Sequence, residues 1–299
     1  MLKKDLTKYV YAVRYHNLIP FINDIKGINY CIIKGAALST LAYGFAEVRN
    51  SADVDLLINK KNLRFILESL IRNGFCYQNI EKDINREERV FLLSSTHQWK
   101  PLVKKTGFIA TIVDINYDVF WGEYTGKRVD IEQFLSDTIE IEIYGVKVKT
   151  LPPLKAMVQL ILHHYKEMNS IYHLTSHDSI SYNMFKDVYY LWKNNKEDIT
   201  FERLYSLCCE YEIISYAFYV LYFTNRIFKD KELQKYVDAL RTAEGVYYLD
   251  YYGLTEKERK HWKVDFQTRL ETDNLYELIK DDLTEEDIEK LERNRRIFG

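Results

Sequence analysis

Three aspartates carry the chemistry this chain could do. Asp53 and Asp55 stand two apart in Asp53-Val54-Asp55-Leu56-Leu57-Ile58. On an extended strand, side chains two apart share a face, so both carboxylates point one way while Val54 and Leu56 point into a core. Two carboxylates ~4 Å apart repel by roughly 4 kcal/mol at an effective dielectric near 20. A divalent cation between them removes that cost, and an all-oxygen ligand set suits Mg²⁺ or Mn²⁺. The plain alternative is a strand end open to water. Asp114 lies in a second strand-like run, Phe108 to Phe120. There Ile109, Thr111, Val113, Ile115 and Tyr117 form one face. Ala110, Ile112, Asp114, Asn116 and Asp118 form the other, which changes from apolar to acidic along its length. A strand that is core at one end and carboxylate-bearing at the other is what a third metal ligand or general base requires, with Asp114 and Asp118 as rival candidates.

These carboxylates need elements to hold them. Tyr30 to Ile33 reads as a short strand, Lys34-Gly35 as a break, and Ala36 to Phe45 as a helix with Leu38, Leu41, Ala42 and Phe45 at helical spacing. Arg49, Asn50, Ser51 and Ala52 form a polar connector into the acidic strand. Asn59 caps a helix over 60–73, which Gly74 ends.

Strand, glycine turn, helix and an acidic strand of hydrophobic-Asp-hydrophobic-Asp pattern resemble the polymerase β-type nucleotidyltransferase superfamily. The form Lys34-Gly35, Tyr43, Arg49, Asp53-x-Asp55-Leu56-Leu57 is similar to a bacterial family of nucleotidyltransferases with an appended helical domain. The resemblance implies an α+β fold, a small mixed-sheet domain over 1–151 followed by a mostly helical domain over 152–299. It implies transfer of a nucleoside monophosphate from an NTP to a hydroxyl, of a small molecule, a protein or an RNA end, with release of pyrophosphate. Asp53, Asp55 and Asp114 would hold Mg²⁺ or Mn²⁺. Backbone N–H groups at Gly35 and Ala36, at the start of a helix, would cradle the triphosphate, and Lys34, Arg49 and Ser51 could contact phosphate or sugar. For Lys34 the alternative is strand-end packing, and for Arg49 a surface ion pair. Two departures stand out. The turn is Gly35-Ala36 where relatives carry Gly-Gly or Gly-Ser, and Asn116 stands where many carry histidine. Both keep open a nucleotide-binding or partner-binding module whose chemistry has decayed.

Composition narrows the surroundings. The 299 residues are 47% hydrophobic with a net charge of -2, which predicts a packed core and no broad nucleic-acid surface. The cysteines Cys31, Cys76, Cys208 and Cys209 show no zinc spacing and suit a reducing, cytoplasmic setting. No run is apolar for ~18 residues, so no membrane span is expected.

Elsewhere, residues 1–26 read as amphipathic helical pieces interrupted by Pro20, covering the sheet edge or joining the second domain. Val90 to Leu93 reads as a strand. Ile139–Ile143 and Val146–Lys149 read as a hairpin with Glu140 opposite Lys149 and Glu142 opposite Lys147. Leu151-Pro152-Pro153 marks the boundary. Beyond it come helices separated by a polar connector over 169–182, and capping boxes at Thr255–Glu258 and Thr284–Asp287 that each open a helix. His163 and His164 on the first helix, His173 and His177 in the connector, and Asp187 have packing readings that outweigh functional ones.

Overall fold

The computed structural model describes residues 2–49, 51–77, 84–121, 129–176 and 180–298; Asn50 and His177 therefore lie outside the described residues. The chain forms two compact units, the first closing at Ala156 and the second opening at Met157.

The first unit runs α1 (Leu2–Asp24), β1 (Tyr30–Ile33), α2 (Gly35–Tyr43), β2 (Asp53–Ile58), α3 (Leu63–Arg72), β3 (Cys76–Tyr77), α4 (Arg86–Ser95), β4 (Leu102–Thr106), β5 (Ile109–Asn116), α5 (Ile131–Phe134), β6 (Ile139–Ile143) and β7 (Val146–Thr150). Five strands form one mixed sheet in the order β1-β2-β5-β4-β3. The central pair, β2 and β5, is parallel, and the other neighbours are antiparallel. Parallel neighbours require a crossover, and α3, β3, α4 and β4 supply it. Leu56, Leu57, Ile58, Val113 and Ile115 are at most 2% exposed and form the heart of the core. β6 and β7 pair in the expected register, Glu140 with Lys149 and Glu142 with Lys147. The hairpin is fastened to the sheet where the Thr150 hydroxyl donates to the Ile32 carbonyl at 2.7 Å.

Two expectations fail here. Val90 to Leu93 is not a strand but part of α4. Asn85 caps that helix by accepting from the Glu88 amide at 2.8 Å, and Glu87 and Glu88 favour its positive end. A four-residue apolar run fits either element, and the cap decides. Nor does Pro20 interrupt the N-terminal helix: α1 continues through it to Asp24. Tyr15, Leu18, Phe21 and Ile22 are buried on both sides of the proline, so packing outweighs the lost backbone bond. α1 belongs to the first unit and packs on β5 and β7.

The second unit is helical, as expected. α6 (Pro153–Asn169) crosses the boundary between the units. It is followed by α7 (Ile171–Ser176), α8 (Tyr182–Asn194), α9 (Phe201–Glu210), α10 (Ile214–Phe228), α11 (Lys231–Ala239) and α12 (Ala243–Tyr248). A short β8 (Tyr251–Tyr252) and β9 (Lys260–His261) then pair, before α13 (Phe266–Glu271), α14 (Leu275–Ile279) and α15 (Glu285–Phe298). α10 is the hub, with α8, α9, α11 and α12 around it. Tyr189 of α8 stacks on Phe228 with ring centroids 4.0 Å apart. Gly245 lets α12 approach α10, since a Cβ there would stand 2.7 Å from the Phe218 ring.

The connector over 169–182 contains α7, because Ile171 and Leu174 find core to bury in. Thr255–Glu258 keeps its capping contact, the Glu258 amide on the Thr255 hydroxyl at 3.3 Å, but opens a turn and not a helix. Gly253, at φ 98°, folds the chain so closely that a Cβ would lie 2.3 Å from the Glu258 carbonyl oxygen. The strand β9 follows at once.

Arg14 on α1 joins three elements of the first unit. Its Nε donates to the Ala110 carbonyl of β5 at 3.0 Å and its Nη1 to the Ser51 carbonyl, just before β2, at 2.9 Å. Arg14→Ala is expected to lower unfolding free energy by about 1.5–3 kcal/mol, from loss of charge-assisted bonds to backbone carbonyls. Urea denaturation followed by circular dichroism measures this, and Arg14→Lys should restore only part of the loss.

Candidate functional site

The site begins where β1 ends. Lys34 adopts φ 57° and ψ -158°, a conformation almost reserved for glycine, and Gly35 follows at φ 43°. For a lysine this costs on the order of 1–3 kcal/mol. The sharp turn starts α2 directly from the strand. Lys34 makes no side-chain cap to α2, and the first amides of any helix have no intrahelical acceptor. Gly35, Ala36 and Ala37 supply those amides from a buried position. A Cβ on Gly35 would sit 3.1 Å from the Ser51 Cβ, so the turn and the connector are in close contact.

The connector is held from below by Ser39, which is fully buried. Its hydroxyl donates to the Phe45 carbonyl at 2.7 Å and accepts from the Arg49 amide at 3.1 Å. Arg49 is thereby fixed by its backbone at the entrance to β2. Ser51 donates its hydroxyl to Asp53 Oδ1 at 2.5 Å.

β2 and β5 then bring the aspartates together. Asp55 lies beside Asp114, and Asp53 beside Ile112, in parallel register. The alternation that puts Asp53 and Asp55 on one face of β2 puts Asp114 and Asn116 on the same face of the sheet. The Asp53 and Asp55 carboxyls both act electrostatically on Asp114. Asp55 is 7% exposed, and its Oδ1 accepts from Lys34 Nζ at 2.9 Å and from Asn116 Nδ2 at 3.2 Å. Asn116 thus orients Asp55, which gives the position a structural role. Asp118 turns away from this work: its Oδ1 accepts from the Phe120 amide at 3.0 Å in the loop after β5.

The electrostatics follow from crowding. Burial, then the charges of Asp55 and Asp53, push the Asp114 carboxyl up to about 7, with Lys34 opposing. Tyr15 of α1 is 3% exposed. Burial, with Tyr144, Asp55 and Asp53 adding to it, raises its phenol well above the usual range, so it stays protonated. Three carboxylates against one ammonium is a charge imbalance that a divalent cation would correct, and their hard oxygens fit Mg²⁺ or Mn²⁺. In the structure as it stands, Asp55 is turned to Lys34 and Asn116, and Asp53 to Ser51. Among the described residues, the ligand atoms that gather within 4.8 Å of one another are those of His163, His164 and Glu167 on α6.

Sequence reasoning missed Arg14, Tyr15 and Ser39. Arg14 reaches partners 37 and 96 residues away, and no local pattern announces such a contact. Asp187 and Cys208 are buried, which suits packing, while Cys209 is exposed; His173 sits on α7.

Comparison with known proteins bears on these features. A search of curated proteins gives no match. Among solved structures, an antigenic nucleotidyltransferase-like protein from Paracoccidioides brasiliensis is 18% identical, over 71% of this chain and 92% of that one, at a TM-score of 0.35. A likeness that loose carries no weight. The family described as "Uncharacterised nucleotidyltransferase" matches residues 24–229, which include the glycine turn, all three aspartates, and the helices through α10. On that match, covering more than half of its length, the chain belongs to this nucleotidyltransferase family.

Proposed function

We propose that this chain is a metal-dependent nucleotidyltransferase that moves a nucleoside monophosphate from an NTP to a hydroxyl of a small molecule or a protein. The observation that carries the reading is the parallel register of Asp55 with Asp114, on the sheet face that also bears Asp53. Asp53, Asp55 and Asp114 would hold Mg²⁺ or Mn²⁺. When bound, the metal supplies positive charge for the triphosphate and acidity to the attacking hydroxyl.

The chain's own residues do the rest. The uncapped start of α2 offers the amides of Gly35 and Ala36 to phosphate oxygens. Lys34, which pairs with Asp55, would also contact phosphate, as would Arg49 and Ser51 beside it. Asp114 is placed to take the hydroxyl proton. The acceptor oxygen bonds to the α-phosphorus as the bond to the bridging oxygen of the β-phosphate breaks, and pyrophosphate leaves. In this reading residues 1–151 are the catalytic domain and 152–299 a helical domain. Among the described residues no helix is long and apolar enough to cross a membrane, and all four cysteines are free thiols. Those thiols support a cytoplasmic setting.

A second reading has one observation in its favour. The Lys34 ammonium already occupies Asp55 Oδ1, as in a nucleotide-binding module that no longer turns over. The two readings part on pyrophosphate. Both expect NTP and Mg²⁺ or Mn²⁺ together to raise the melting temperature. Only the enzyme releases pyrophosphate when an acceptor is supplied. Asp53→Asn and Asp55→Asn should each reduce that release at least about 100-fold with the circular dichroism spectrum unchanged. Retained turnover in either variant would count against the assignment.

The raised Asp114 also makes a stability prediction for metal-free protein. Its folded value, about 7, lies above the ordinary carboxyl value. Its contribution is therefore full below about pH 4 and is lost as pH climbs from there to about 7. Asp114→Asn should remove that decline and stabilise the metal-free protein at pH 8 by an amount on the order of a few kcal/mol. Denaturant titrations at pH 5 and pH 8 in a chelator test this. An equal pH dependence in both proteins would refute it.

A further inference from the structure

The histidine pair on α6 is more than packing. His163 and Glu167 are four residues apart and His164 and Glu167 three, the two spacings that place side chains together on a helix. His163 Nε2 lies 3.1 Å from Glu167 Oε1, and His164 Nδ1 lies 3.4 Å from Glu167 Oε2. Taking one ligand atom from each residue, the three lie within 4.8 Å of one another; a tetrahedral metal with bonds of ~2.0–2.1 Å sets its ligand atoms ~3.3 Å apart, so small side-chain shifts complete the set. The side chains of His163, His164 and Glu167 are 14%, 1% and 22% exposed, so the cluster is sheltered but reachable.

His164 Nε2 is buried and has no hydrogen-bond partner. A metal held at Nδ1, beside Glu167, takes the place of the ring proton there, and that proton then resides on Nε2. Two imidazoles and one carboxylate form a set for a borderline cation, unlike the all-oxygen set on β2 and β5.

We propose that His163, His164 and Glu167 form a second metal site, selective for Zn²⁺ over Mg²⁺, with its fourth position open to water or a ligand. It is independent of the transfer chemistry assigned to the aspartates. The imidazoles supply nitrogen donors that Mg²⁺ binds poorly, so an excess of Mg²⁺ leaves the site to Zn²⁺.

Co²⁺ titration of the full, chelator-stripped chain in excess Mg²⁺ tests this. One equivalent should produce the visible bands of tetrahedral Co²⁺, and one equivalent of Zn²⁺ should bleach them. The bands should persist in the Asp53→Asn/Asp55→Asn double variant, which separates this site from the carboxylate one. His163→Gln and Glu167→Gln should each weaken Co²⁺ binding at least about tenfold. Absence of bands in the unsubstituted protein overturns the proposal, as does unchanged affinity in a folded variant. Should neither variant fold, X-ray absorption of the Zn²⁺-loaded chain decides: two imidazole nitrogens are expected, and fewer overturn it.

Discussion

The parallel pairing of β2 with β5 governs the electrostatics of the first unit. It sets the buried Asp55 beside a half-buried Asp114 in the adjacent strand. Burial first, and then the repulsion of the like charges so placed, pushes the Asp114 carboxyl up to about 7. The fold tolerates this because Lys34 and Asn116 both reach Asp55. Slipping the pairing by one residue would send Asp114 to the opposite face and break the cluster. The apolar residues between, Leu56, Val113 and Ile115, resist that slip because they would leave the core.

The strained turn at Lys34-Gly35 serves the same centre. Lys34 adopts an unfavourable backbone to launch α2 from the end of β1, and its side chain then lies over Asp55. Gly35 must be small because Ser51 occupies the space beside it, and Ser51 in turn holds Asp53. Arg14 and Ser39 secure the connector from two sides. The acidic rim, the start of α2 and the connector thus form one linked assembly.

The helical unit rests on a different principle. Its core is aromatic, built around α10 from Trp192, Tyr219, Phe218 and Phe223, each at most 1% exposed. Against that apolar background the polar histidine cluster of α6 is conspicuous, since unpaired nitrogen is costly where no water reaches it.

Much of the site was legible in the chain itself. Asp53-x-Asp55, the Lys34-Gly35 break and the alternation from Ile109 to Asn116 are local patterns, and local geometry fixes which side chains share a face. The hairpin register was legible for the same reason, through its two-residue turn. Errors fell where local signals are ambiguous: the four apolar residues of α4, Pro20 within α1, and the cap at Thr255 that a backward fold converts into a turn. Tertiary structure alone decided which strand lies beside which, and hence that Asp114, not Asp118, joins Asp53 and Asp55. It alone revealed Arg14, Tyr15 and the work of Asn116. Those contacts span tens of residues, and what selects them is the shared burial of β2 and β5 in one core, which no short stretch of sequence contains.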